Sequence, residues 1–361
     1  MRPLFLRISI KRNEMKILLI GGTGFISSNV VELLLNEEHD ITILNRGKSK
    51  IHSALNNRIK FIKADRHDKN KLLETASYNF DVVYDFVAYT EEESALMADV
   101  FYGKTKRFVH TSTVSVYMVS KEFQCPITED QDKGKIMEFW GRNPFGMQYG
   151  IDKRKCENVL WNAHDKNNFP VTIIRPPYVC GPGDPAIRDY FWIQRILDGN
   201  PILIPGSGDY ASQHVFVKDL AKAFVDIIKT EKTIGQAYNV AAEEIFSLND
   251  YLDNLCKLLK KNPERINIDL EVFENLPYSI INGGHAFPFN TYSTAIFSIK
   301  KIVSDINFKP TPFNEWMPLT IDWYLNKFKG DSVGYNFRKD EVEFINKWKM
   351  KFSQFKNGII S

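Results

Sequence analysis

Short apolar runs alternate with longer stretches of helical spacing from residue 16 onward, and this alternation sets the fold class. Apolar strands are predicted at 16–20, 40–44, 59–63, 81–87, 106–111 and 171–175. Helical stretches separate them, the first from Ser28 to Leu35. Such a sequence predicts an α/β fold built on a doubly wound parallel sheet with right-handed crossovers. After Arg175 the pattern turns irregular and rich in Gly and Pro, through Pro182, Gly183, Pro201, Pro205 and Gly208, before a helix at Lys218 to Lys229.

Four segments are expected from this pattern. Residues 1–14 are an extension with four basic residues among Leu4, Phe5, Leu6, Ile8 and Ile10, without the apolar core and cleavage site of a signal peptide. Residues 15–180 plus about 213–244 make the main unit, and about 181–212 plus 245–327 a smaller α/β lobe. The tail, 328–361, carries Phe344, Ile345, Trp348 and Phe352 at helical spacing, which predicts a last helix packed on the body.

Two local patterns carry candidate chemistry. The run Lys16-Ile-Leu-Leu-Ile-Gly21-Gly22-Thr23-Gly24-Phe25-Ile26 is a strand, a glycine turn and the start of a helix. Gly21 permits the tight turn, and Gly24 lets backbone approach a pyrophosphate lying against the positive end of the helix dipole. Tyr149 and Lys153 are four apart, so on a helix they share a face. An ammonium there favours the phenolate and lowers a tyrosine pKa that starts near ~10, so the phenol can pass a proton near neutral pH.

Other marks follow in order. They are Ala64-Asp65-Arg66-His67-Asp68, Asp81-Val-Val-Tyr-Asp-Phe-Val-Ala88 and Thr111-Ser-Thr113-Val-Ser-Val-Tyr117. Then come Tyr149-x-x-x-Lys153-x-x-x-Glu157, Arg175-Pro-Pro-Tyr-Val-Cys-Gly181-Pro-Gly-Asp184 and Gln213-His-Val-Phe-Val-Lys-Asp219-Leu-Ala. In this order and spacing, over residues 15 to about 327, the chain resembles the extended short-chain dehydrogenase/reductases, the family of nucleotide-sugar epimerases, dehydratases and ketoreductases. The resemblance implies a Rossmann-type NAD(P)-binding domain with a substrate-binding lobe, and the cofactor along the carboxyl edge of the sheet. It implies Tyr149 as acid/base, Thr113 holding the substrate oxygen, with Ser112 as competitor, and Lys153 binding the nicotinamide ribose. Gly21, Gly24, Phe25, Ile26 and Asp65, with the backbone of Arg66, would hold the dinucleotide. A third glycine of the usual pattern is replaced by Ser27.

The end of the second strand bears on which dinucleotide binds. An NAD enzyme usually places a carboxylate there, about twenty residues past the glycines, but the chain reads Asn45-Arg46-Gly47-Lys48. Arg46 would stack on adenine and pair with a 2′-phosphate, with Lys48 adding a second charge. NADP is therefore expected over NAD.

Two departures bear on substrate. Family dehydratases carry Asp-Glu where this chain has Val114-Ser115, which disfavours dehydration. Family epimerases clamp the substrate diphosphate with an arginine where this chain has Ser212-Gln213, and a second arginine near 283–290 is replaced by Gly284-His285-Ala286-Phe287-Pro288-Phe289. This pattern, with Asn-Arg-Gly at 45–47, also resembles a divergent branch that includes plastid RNA-associated proteins.

The expected function is thus hydride transfer at a secondary alcohol or ketone of a nucleotide-activated sugar, by a 4-ketoreductase or epimerase. The alternatives are an oxidoreductase on another small carbonyl compound and a non-catalytic RNA-associated relative. A net charge of +3 implies no polyanion field, so nucleic acid is not an expected partner. Cys125, Cys156, Cys180 and Cys256 show no metal spacing, so no metal is expected and a reducing cytoplasm suits the chain. No apolar run approaches a membrane span, so no membrane is expected. Ile151, Cys156, Val159, Leu160 and Trp161 on the Tyr149 helix give it more apolar surface than one sheet face needs. A homodimer is expected there, the pairing the family uses.

Overall fold

The computed structural model describes residues 14–47, 57–139, 146–276, 287–291 and 293–360. Residues 1–13 and Lys48 lie outside the described residues. The strands are β1 (Lys16–Ile20), β2 (Asp40–Asn45), β3 (Ile59–Lys63), β4 (Val82–Asp85), β5 (Arg107–Thr111), β6 (Val171–Arg175) and β7 (Tyr178–Cys180). They continue as β8 (Ile202–Pro205), β9 (Ala211–Ser212), β10 (His214–Phe216), β11 (Gln236–Asn239), β12 (Phe246–Ser247) and β13 (Arg265–Ile268). The helices are α1 (Phe25–Asn36), α2 (Lys69–Ala76), α3 (Glu91–Phe101), α4 (Ser115–Met118), α5 (Met147–Asn167) and α6 (Arg188–Asp198). After them come α7 (Val217–Asp226), α8 (Leu248–Leu259), α9 (Leu270–Glu274), α10 (Lys300–Ile306), α11 (Phe313–Asn326) and α12 (Arg338–Ile360).

All six predicted strands form, and they build a seven-stranded sheet in the order β11-β6-β5-β4-β1-β2-β3. The pairings around β1 are parallel, with Ile17 opposite Ile41 of β2 and Val82 of β4. The order reverses beside β1, so the carboxyl ends of β1 and β4 flank the crevice where open α/β sheets bind ligands. β11 is a seventh strand that the apolar pattern did not indicate, because Gln236-Ala-Tyr-Asn239 alternates too little to stand out. α1 begins three residues earlier than expected, directly after Gly24.

The chain divides into two compact units. The first comprises Met1–Ser112, Asp152–Ile174 and Ala221–Ala237, the second Thr113–Ile151, Arg175–Leu220 and Tyr238–Ser361. In the first, Leu18, Ile20, Leu44, Val83, Phe108 and Ile173 from the strands pack with Leu72, Met97, Phe101, Leu160 and Phe169 from the covering segments. Burying side chains of this size stabilises by ~1.5–3 kcal/mol each.

The second unit has three two-stranded pairings, β7 with β10, β9 with β12 and β8 with β13. Its aromatic core includes Trp192, Tyr251, Trp316 and Tyr324, all essentially buried. Arg195 of α6 and Glu341 of α12 form a buried ion pair at 2.9 Å, and Arg338 reaches both Glu341 and Asp198. These contacts fix the first turns of α12. The helix as a whole departs from the expectation that it packs on the body: Ile345 is buried, but Phe352 and Phe355 are exposed. Amphipathic spacing reports a stripe, not what covers it.

Candidate active site

The first unit supplies the glycine turn. Gly21 has φ +84, and a Cβ there would stand 2.4 Å from Val87 Cγ1, so neither the backbone nor the space admits a side chain. The turn is closed by Ser27, whose hydroxyl donates to Gly21 O at 2.8 Å and accepts from Gly24 N at 2.9 Å. Ser27 is therefore a buried strut, where the usual third glycine would only keep helix and strand close. Gly24 is exposed at the start of α1, Phe25 and Ile26 follow it half-buried, and the first helical turn contains no carboxylate. An anion facing those amides would meet the positive helix end without competition from an acid.

At the end of β2, Asn45 Oδ1 accepts from Gly47 N at 2.8 Å, so its side chain shapes the turn. Arg46 is exposed and makes no ion pair among the described residues. After β3, Asp65 accepts from His67 N at 3.0 Å and lies 2.7 Å from His67 Nδ1. The backbone bond from His67, then its side chain, hold the Asp65 carboxyl below the usual range. Arg66 makes a two-pronged contact with Asp85 at the end of β4, at 2.9 and 3.0 Å, in a buried setting. Its guanidinium is a brace between the two loops, and only its backbone is left for the role the resemblance implied.

Lys153 on α5 is almost wholly buried. Its Nζ donates to Ala88 O at 2.9 Å and to Thr111 O, and lies 3.3 Å from His110 Nε2. Burial pulls its ammonium below the usual lysine range, opposed by Cys156, Asp85 and Glu157. Ser112, the competitor for the role of Thr113, donates its hydroxyl hydrogen to the buried Glu157.

The second unit holds Thr113 and Tyr149. Thr113 Oγ1 accepts from Ser115 N at 3.2 Å and lies 3.2 Å from Ser115 Oγ, a local turn that sets its rotamer. Tyr149 is 40 % exposed and shares one face of α5 with Lys153, a turn away. Gly150 sits where α5 crosses the Thr113 segment: a Cβ there would be 2.6 Å from Ser115 O and 2.7 Å from Val119 Cγ1. Only a residue without a side chain lets the two segments approach this closely. The signal was present in the sequence, a glycine directly after the tyrosine, but helix propensity alone gives it no meaning.

Below Thr113, Tyr117 OH donates to Asn239 Oδ1 at 2.8 Å and accepts from Arg175 Nη1 at 2.6 Å. Arg175 also donates to Glu129 O and pairs with Asp132. The motif's tyrosine is thus a buried anchor of the turn.

Where family epimerases have an arginine, Gln213 is buried, with Nε2 donating to Ala242 O at 2.8 Å and Oε1 accepting from Phe297 N at 2.6 Å. Neither it nor the buried Ser212 offers a cation. Residues 284–286 lie outside the described residues; Phe287 and Phe289 beyond them are buried. Among the described residues no group of His, Cys, Asp or Glu suits a metal ion, and no helix is long and apolar enough to cross a membrane.

A family model described as the NAD dependent epimerase/dehydratase family matches residues 17–241. The chain belongs to that family. Among curated relatives, chloroplast stem-loop binding protein of 41 kDa b from Arabidopsis thaliana is 27 % identical over 320 residues, 82 % of this chain and 76 % of the relative. UDP-N-acetyl-alpha-D-glucosaminuronate decarboxylase from Bacillus cytotoxicus is 26 % identical over 288 residues, 72 % of this chain and 87 % of the relative. Of solved structures, UDP-glucose 4-epimerase of Thermotoga maritima superposes with TM-score 0.67 at 18 % identity, covering 87 % of this chain and 100 % of its own. UDP-glucuronic acid 4-epimerase of Bacillus cereus, solved with NAD, gives 0.65 at 21 % identity with the same coverages. These likenesses show that the fold of the epimerase/dehydratase family is the fold of this chain.

Proposed function

We propose that this chain is an NAD(P)-dependent enzyme that moves a hydride at a secondary alcohol or ketone of a nucleotide-activated sugar, as a 4-ketoreductase or epimerase. The observation that carries this reading is the single helix α5, which bears Tyr149 and Lys153 and is drawn against the Thr113 segment by Gly150.

The dinucleotide would supply the hydride acceptor or donor. The Gly21 turn, the acid-free start of α1 and Asp65 suit its pyrophosphate and adenine, and Arg46 suits a 2′-phosphate better than a bare ribose. Thr113 Oγ1 is held by Ser115 and can turn its hydrogen to the substrate oxygen. Tyr149 then gives or takes the proton at that oxygen, and the nearby ammonium of Lys153 favours its phenolate. Lys153 must exchange at least one carbonyl partner for a ribose hydroxyl to do both. Val114-Ser115 provides no acid/base pair for dehydration. With Gln213 committed to backbone groups, the substrate diphosphate is held by residues other than the family arginine. The lobe over about 181–212 plus 245–327 would bind the sugar nucleotide, and two copies would pair through α5. There Ile151 and Val159 remain half-buried, whereas Cys156 and Leu160 are buried within the protomer and Trp161 packs in part against the protomer's own core.

The test is turnover of a panel of UDP- and dTDP-sugars with added NADPH or NADH, read beside release of any retained dinucleotide. Tyr149→Phe should bind dinucleotide normally and lose ~10²–10⁴ of turnover. Full activity in that variant would refute the role of Tyr149. RNA binding at physiological salt with no turnover on any sugar nucleotide would favour the RNA-associated relative instead.

A further inference from the structure

The apolar stripe of α12 continues past the point where the second unit covers it. Ile345 is buried and Phe344 and Trp348 are half-buried, but Phe352, Phe355 and Ile359 are 57, 66 and 68 % exposed. At ~100° per residue those three lie within about 40° of Trp348, so the covered and bare residues form one stripe. The rings of Phe344, Trp348 and Phe352 follow one another at 6.3 and 6.5 Å, the last pair stacked.

Lysines border this stripe. Lys347, Lys349, Lys351 and Lys356 fall between 344 and 361, a segment without Asp or Glu. Lys347 pairs with Glu343 and Lys349 with Glu264. Lys351 and Lys356 form no ion pair among the described residues and lie about 60–80° to either side of Trp348.

Charge decides what fits such a surface. A second copy would bring its own lysines against these. Residues 1–13 would bring Arg2, Arg7, Lys11 and Arg12 with no carboxylate before Glu14. Both put like charge on like charge. An anionic lipid surface meets the lysines with phosphates and the stripe with acyl chains, the arrangement of helices that lie in the membrane interface. The expectation of no membrane rested on span length, which excludes crossing and leaves surface adsorption open.

We propose that residues 348–359 of α12 are an interfacial anchor for an anionic lipid surface. Trp348, Phe352, Phe355 and Ile359 enter the headgroup boundary, and Lys351 and Lys356 pair with lipid phosphates. The anchor is separate from the Tyr149 site, so its test does not depend on finding the sugar.

The full chain is floated with phosphatidylcholine vesicles, with and without phosphatidylglycerol, at low and high salt. It should rise only with the anionic vesicles and be released by salt. Lys351→Glu with Lys356→Glu should weaken binding by at least roughly 25-fold, from ~fivefold for each lysine. Phe352→Ser, Phe355→Ser and Ile359→Ser together should abolish it, with Tm unchanged because the three side chains are exposed. Failure to float, equal flotation with neutral vesicles, or flotation by the triple serine variant overturns the proposal. So does lipid-free self-association that the triple variant abolishes, or binding to an acidic polypeptide but not to vesicles.

Discussion

Gly150→Ala is an informative substitution because two effects of opposite sign meet there. In an exposed helix interior, alanine for glycine stabilises by ~0.8–1.0 kcal/mol. At Gly150 the new Cβ would stand 2.6 Å from Ser115 O and 2.7 Å from Val119 Cγ1. Moving from 2.6 Å to the 3.4 Å of ordinary contact separates α5 from the Thr113 turn by about 0.8 Å. The first obstacle is a backbone carbonyl, which cannot rotate away. Overpacking of this kind costs ~1–3 kcal/mol and outweighs or at least cancels the helix gain. The net change is thus zero to about 2 kcal/mol of destabilisation, a Tm lower by up to roughly 3 °C for a chain of 361 residues. Catalysis should suffer more than stability, because Tyr149 adjoins the displaced position and a ~1 Å misplacement can cost ~10²-fold. Thermal unfolding and steady-state turnover on the sugar nucleotide that supports the parent enzyme check both parts. A Tm raised by the full helix gain together with unchanged kcat would refute the argument that close approach at Gly150 positions the tyrosine.

Other expectations follow from the same structure. NADPH should bind more tightly than NADH, and Arg46→Asp should reverse or erase the preference by at least roughly tenfold in titration; equal affinities in the parent would end this reading. Burial raises the Asp189 carboxyl from 3.8 to about 7, so its contribution to stability is full below about 3.8 and is lost as pH rises through about 7. Burial, then Arg188, lowers His214 from 6.5 to about 3, so its contribution is full above 6.5 and is lost as pH falls towards 3. The two slopes oppose each other over roughly pH 4–6.5, at ~1.4 kcal/mol per pH unit each. Denaturant titrations of Asp189→Asn should expose stability rising with pH, and those of His214→Phe stability falling with pH; flat profiles in both would refute the assignment. Arg195→Ala should destabilise towards the lower end of the ~3–5 kcal/mol for a broken buried pair, because Arg338 still reaches Glu341, as unfolding midpoints will show. Light scattering at micromolar concentration should give twice the chain mass of 41.8 kDa.

The sheet was legible in the sequence because five of its six indicated strands, β1, β2, β4, β5 and β6, are apolar runs buried over nearly their whole length, whereas β3 carries Lys60 and Lys63 and is largely exposed. β11 was not, since its place at the sheet edge beside β6 is a long-range fact that four weakly patterned residues do not encode. At the candidate site, residue types and spacings pointed to Gly21, Thr113, Tyr149 and Lys153. The sequence could not tell which polar groups would be used up internally. Ser27 looked like a tolerated substitute for glycine and is a hydrogen-bonded strut; Ser112 looked like a rival to Thr113 and is bound to Glu157. Arg66 is held by Asp85, nineteen residues away. Partnerships of this kind depend on which side chains the fold brings together, and no local spacing reports them.

Gln213 shows how such a partnership constrains what the protein can become. Its amide spans Ala242 O and Phe297 N. An arginine introduced there to reach a diphosphate would leave a buried carbonyl and a buried amide unmatched before it gained any ligand contact, a loss of ~1–3 kcal/mol for each. A side chain that the framework already uses in this way is hard to recruit for a ligand, because exchanging it costs stability before any binding is gained.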